Sequence, residues 1–233
     1  MAKNLNNFKN TRTTTARSNA KRNSEGYLQL HISDDQLAHA KFLADHSHFP
    51  DENKRTTLVG FLGETVVADL MGCNRPDGKP DKGYDLLLFG RKVDVKTMER
   101  STDVIKKHYA NNVSKRQSSN DTEYYIFCSV NMDTRNVIIS CIMPKNVFLR
   151  KAKLYKKDKL PKNDAGKQIR DKCGDTLVLL NEDVEKQYIV GSCESIGTLI
   201  RADIMREYRT PGIKGRKAPK KAGYKNGKHY KGL

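Results

Sequence analysis

The chain has 233 residues, room for one ordinary domain with polar appendages, and 36% of them are hydrophobic. No run of roughly 18 apolar residues is present, which excludes a membrane-spanning helix, and MAKNLNNFKNTRTTTARSNAKRN lacks the apolar stretch of a secretory signal. Lys and Arg number 44 against 27 Asp and Glu, a net charge of +17, so the expected partner is a polyanion.

The charge is concentrated at the two ends. Residues 1–26 carry six bases and one acid, and 209–233 carry nine bases and no acid, so +14 of the +17 sits there. Both segments are poor in residues that a core would take, and both are expected to be disordered basic arms around a domain over 27–208. In the C-terminal arm Lys214, Arg216, Lys217, Lys220 and Lys221 are candidate phosphate contacts, with Tyr224, His229 and Tyr230 able to stack on bases. The bland alternative for such arms is a solubilising tail or a nuclear address.

Between the arms, Ser33 reads as the N-cap of a short helix over QLAHAKFLADH. Apolar residues at 58, 59, 61, 62, 66, 67, 70 and 71 predict a second helix from near Thr56 to Gly72. Residues 73–83 are turn-rich. YDLLLF and KVDVKT around Gly90-Arg91 predict a hairpin with a type II′ turn. Residues 98–123 read as a polar, basic loop with a helical turn or two. YYIFCSV and NVIISCIM form a second hairpin, Pro144 opens a helix through about Leu154, 155–172 is a basic loop, DTLVLL is a strand and ESIGTLIRADIMREY is a helix. The five cysteines include no CxxC pair, which predicts reduced thiols and a cytoplasmic compartment (that of the host if the chain is viral). His46 and His48 lack a third ligand at a useful spacing, and Gly60 and Gly63 are not followed by GK[ST], so neither pair carries a site.

The chemistry-bearing group is in the first hairpin. A Gly90-Arg91 turn places Phe89 opposite Lys92, Leu88 opposite Val93, Leu87 opposite Asp94, Leu86 opposite Val95 and Asp85 opposite Lys96. Side chains alternate along a strand, so Asp85, Asp94 and Lys96 share one face while Tyr84, Leu86, Leu88, Val93 and Val95 form the core face. Glu64 lies in the preceding apolar helix, where a lone carboxylate is costly unless paired or bound to metal. Carboxylate oxygens suit Mg²⁺, and a lysine beside them can hold a water or stabilise charge on a phosphate. The alternative is a cross-strand ion pair between Asp85 and Lys96, with Glu64 on the wet side of its helix.

The strings GETVVADLMG, GYDLLL and KVDVKT resemble the PD-(D/E)XK nuclease superfamily over roughly residues 56–145. Glu64 matches the helical acid, Asp85 the first Asp, and Asp94 and Lys96 the (D/E)xK signature; Tyr84 stands where the proline of the family's name would be. The resemblance implies an α/β fold, a mixed central sheet flanked by helices in an αβββαβ core. It also implies an endonuclease that hydrolyses phosphodiester bonds, usually in DNA, with Glu64, Asp85 and Asp94 on Mg²⁺ (Mn²⁺ substituting) and Lys96 assisting the water. Arg100, Lys106, Lys107, Lys115 and Arg116, after the signature, are candidate phosphate contacts. A non-catalytic DNA-binding or packaging protein and an RNA-cleaving enzyme are the alternatives. A homodimer is compatible with cutting both strands, and the small basic chain suits a phage or mobile element.

Overall fold

The structure, a computed structural model, describes residues 11–47, 54–78, 83–156 and 174–209. It is α/β, with a mixed six-stranded sheet flanked by helices and a smaller three-stranded sheet beside it. Among the described residues no helix is long and apolar enough to cross a membrane.

The N-terminal arm requires correction over its described part. Residues 11–18 form helix α1, and strand β1 (Ala20–Arg22) pairs with β2 (Leu28–His31). Ala16 is buried, and the Arg17 guanidinium donates to the Leu70 carbonyl at 3.3 Å. Two alanines and one long arginine anchor a segment whose average composition reads as unstructured. The remainder of that arm and the basic C-terminal arm lie outside the described residues.

Helix α2 (Asp34–Asp45) starts in a capping box: Ser33 accepts from the Gln36 backbone and Gln36 reaches back to the Ser33 N–H. Helix α3 (Lys54–Met71) ends where Gly72 turns to φ +71°, with Cys73 N–H on the Ala68 carbonyl and Gly72 N–H on that of Asp69. The loop after α3 is clamped to both helices. Arg75 donates to both oxygens of buried Asp69 (2.8 and 2.7 Å) and to Asp35 (2.5 Å), and Gln36 donates to Asp69 at 3.0 Å.

The large sheet takes the order β1-β2-β7-β6-β4-β3, from β3 (Leu86–Leu88), β4 (Arg91–Glu99), β6 (Tyr124–Asn131) and β7 (Asn136–Pro144). Strands β4 and β6 run parallel, and every other pair is antiparallel. Both faces are covered. Leu62, Val66 and Leu70 of α3 pack with Val93, Val95 and Ile126 on one face; Tyr125, Phe127, Met143 and Phe148 fill the other with Leu177 and Leu179. This double burial is why β6 reads as an unbroken apolar run. Ser140 is the extra residue of a bulge in β7, and its hydroxyl donates to the Phe127 carbonyl at 3.1 Å.

The small sheet, in the order β5-β9-β8, holds β5 (Ala110–Ser114), β8 (Lys153–Tyr155) and β9 (Thr176–Leu180). Strand β5 lies inside the expected polar loop. Its Ala110, Asn111 and Val113 are buried against β9, and the asparagines disguise it as a loop. Helix α4 (Lys145–Lys151) stops short of Leu154, because Ala152 turns extended and Leu154 joins β8. Helix α5 (Cys193–Arg209) forms as expected and buries Ile196 and Ile200.

Candidate active site

The first hairpin forms, but one residue earlier than the expected turn. Phe89 and Gly90 both take positive φ (54° and 78°), the pattern of a type I′ turn, and Leu86 pairs with Val93, Leu87 with Lys92 and Leu88 with Arg91. The strained Phe89 is held from α5: the Arg201 guanidinium lies 4.8 Å from the centre of its ring, and a Cβ on Gly197 would come within 3.2 Å of Phe89 Cζ. The register therefore differs by two residues from the expected one. A slip of one would exchange the faces, whereas a slip of two restores them. Leu86, Leu88, Val93 and Val95 are buried with α3 as expected, whereas Tyr84, expected on that core face, is half-buried with the Lys92 ammonium 5.5 Å from its ring; Asp94 and Lys96 project from the other face of β4, and both act electrostatically on Asp85. Asp85, just before β3, lies outside the paired register: its N–H donates to the carbonyl of Val93, the residue already opposite Leu86, at 2.9 Å, so it does not take the expected place opposite Lys96.

Asp94 is 2% exposed. The Lys96 ammonium stands 2.7 Å from Asp94 Oδ1, yet that buried oxygen makes no well-directed hydrogen bond, so the contact is chiefly Coulombic. Asp85 Oδ2 accepts the Val95 N–H at 2.6 Å, which fixes its carboxylate against β4. Burial pushes the Asp85 carboxyl well above the usual carboxylate range, and Glu64 and Asp94 push it the same way; Lys96 and the Val95 N–H oppose them. Glu64 thus belongs electrostatically to the cluster. Its position follows from Gly63, where a Cβ would stand 1.9 Å from Thr97 Oγ1: α3 lies against β4 because that residue has no side chain.

Among the described residues no three His, Cys, Asp or Glu side chains converge into a ready coordination sphere. The donor set nevertheless suits a hard cation. Asp85 is under repulsion from Glu64 and Asp94, and Asp94 Oδ1 has a lone pair that no directed hydrogen bond uses. The sequence gives no warning of Tyr125, the Cα partner of Asp94 on β6. Its hydroxyl is buried without a hydrogen-bond partner, and burial and Asp94 both raise its pKa. Cys128 and Cys141 are buried with raised pKa values, the latter to about 12, as inert core thiols.

The candidate phosphate contacts divide into groups. The Arg100 guanidinium stacks 4.2 Å over the Tyr109 ring and donates to the Ala110 carbonyl at 3.4 Å. Lys106 Nζ lies 5.8 Å from the same ring, and Lys107 is exposed beside it. Lys115 and Arg116 are exposed just beyond the other end of β5. Lys214, Arg216, Lys217, Lys220 and Lys221 lie outside the described residues. Comparison with protein-family models, with curated proteins and with solved structures returns no match.

Proposed function

We propose that the chain is a metal-dependent endonuclease that hydrolyses phosphodiester bonds in DNA, of the PD-(D/E)XK type. The observation that carries this reading is the clustering of acids and one lysine at the hairpin: Lys96 lies 2.7 Å from buried Asp94, and Glu64 and Asp94 both raise the pKa of the Asp85 carboxyl. The order α3, β3, β4, β6 supports the fold assignment; β5 intervenes before β6, and β7 precedes α4.

Asp85 and Asp94 would hold Mg²⁺, and Glu64 would orient its waters. The bound ion would polarise the scissile phosphate and make a water acidic enough to attack at neutral pH. Lys96, which is 17% exposed, would leave its contact with Asp94 to steady that water or the charge growing on the phosphate. The Val95 N–H holds Asp85 in place throughout. Basic groups on the same side of the sheet and in the C-terminal arm would keep the backbone against the site.

One observation favours a second reading. Lys96 already neutralises Asp94, as it would in a DNA-binding protein whose hairpin charges are only structural. A supercoiled plasmid separates the two. The wild type should nick it with Mg²⁺ and stop in EDTA, and Asp94→Ala and Lys96→Ala should each lower nicking by roughly 100-fold or more while still binding. Binding without cleavage under Mg²⁺ or Mn²⁺, on DNA and on RNA, overturns the enzymatic reading and leaves the second. Cleavage of RNA alone would overturn the choice of DNA.

A further inference from the structure

We propose that the sugar–phosphate backbone of the strand being cut runs across the mouth of the groove between β4 and β5, with Arg100 as the ligand of a phosphate a few nucleotides from the scissile one. The proposal rests on the nuclease reading and adds the route of the substrate. Lys96 and Met98 of β4, and Arg100 just past its end, succeed Asp94 at every second position, so they continue its face as the floor of the groove; Ala110, Asn111 and Asn112 of β5 form its wall. Arg100 touches Ala110 (3.4 Å) and Met98 touches Asn112 (3.7 Å), so the two strands run in opposite senses across the groove. Lys115 and Arg116, following β5, are thereby directed toward the carboxylate end. Positive charge marks both ends, Arg100 with Lys106 at one and Lys115 with Arg116 at the other, and Lys96 lies between. Arg100 is six steps along the chain from Asp94, about 20 Å of extended strand, which is the reach of a few nucleotides.

Two further features decide what the groove takes. Arg100 is held before any ligand arrives: its plane lies on Tyr109 and its Nη2 meets the Ala110 carbonyl (3.4 Å) and the Met98 sulfur (3.5 Å), which fixes its charge at the groove. The enclosed space is about 10 Å³, room for one water, which Asn112 Oδ1, buried and without a hydrogen-bond partner, would bind. Neither a base nor a sugar enters that space, so the strand would meet the groove through phosphates at its mouth, a contact that carries no sequence information.

The test uses the full chain in EDTA with labelled DNA duplexes of unrelated sequence, which separates binding from cleavage. Arg100→Ala should weaken binding about tenfold, equally for every sequence, and lower the slope of log affinity against log salt by about one. Arg100→Gln keeps a donor for Ala110 without the charge and should show the same loss of slope, which secures the test if Arg100→Ala unfolds. Arg135→Ala, a base ion-paired with Asp34 near α2, should leave the slope unchanged. Wild-type affinity and slope in folded Arg100→Gln overturns the groove, and so does a loss confined to one sequence. A wild type that binds with these dependences but never cleaves overturns the nuclease reading and leaves the groove as a DNA-binding site. A wild type that binds no nucleic acid overturns both.

Discussion

Asp85 is the residue at which the cost of the site is concentrated. Its carboxyl is raised by burial, Glu64 and Asp94, so the folded chain holds that proton more tightly than the unfolded chain does. By linkage, the folded state gains from this group at acidic pH and loses that gain as pH rises from the ordinary carboxylate value through the raised one. Asp85→Asn keeps an oxygen for the Val95 N–H and removes the repulsion. In a chelator at neutral pH the variant should melt above the wild type, and the gap should close as pH falls below about 4. Mg²⁺ should raise the melting temperature of the wild type and not of the variant. A variant that melts lower at neutral pH would mean that Asp85 is a structural partner of Lys96. The counterpart is Arg75: 7% exposed and fixed to the 4%-exposed Asp69, it leaves a buried charge behind when removed. Arg75→Met should cost about 3–5 kcal/mol in denaturant unfolding.

At the level of elements, the site depends on how close α3 lies to β4. Gly63→Ala places a methyl group into Thr97, whose Cβ and Cγ2 would both lie 3.0 Å away, so rotating the hydroxyl relieves only part of the clash. The expected loss is about 1–3 kcal/mol of stability, with a shift of Glu64, and Thr97→Ala should restore part of it. Equal stability of Gly63→Ala and wild type would show that α3 can move away freely. The glycine was visible in the sequence, but its partner was not, because nothing local names the strand a helix will lie against. Helices with clear caps and 3.6-residue periods, α2 and α3, were legible, as were the two hairpins whose apolar runs flank turn residues. The face shared by Asp94 and Lys96 was legible because parity survives an error of two in register; the place of Asp85, which bonds to the Val93 carbonyl outside the regular pairing, was not. The turn itself was not: Phe89 enters the left-handed region only because α5, over 100 residues later, braces its ring. Strands β1, β2, β5 and β8 were missed for a common reason. They are short, three to five residues, and owe their form to neighbours distant in sequence.

For the whole molecule, the division of labour follows the charge. Most of the +17 belongs to the two ends, and the C-terminal 24 residues hold eight lysines and arginines with no acid. Removing 210–233 should weaken DNA binding and flatten its salt dependence by several units, with the melting temperature nearly unchanged, since the segment's composition offers little that a core would bury. An unchanged salt slope would show that the tail makes no phosphate contact. The central sheet, by contrast, is apolar on both faces, and the acidic pair is set at its β3–β4 margin, where one face leaves the second core and opens toward β5. Arg100→Gln and the tail deletion should add in their effects on binding, as losses of separate phosphate contacts do; a combined loss smaller than the sum would show that the two act on one contact.

The hairpin turn also sets a rule of inheritance. Because faces repeat every two residues, β3 and β4 can lengthen or shorten in pairs across descendants and keep the acids together. Loss of one residue between Asp85 and Asp94 would force either a bulge or the burial of an aspartate where Val93 now lies. Length variation at this loop should accordingly be tolerated in even steps and selected against in odd ones.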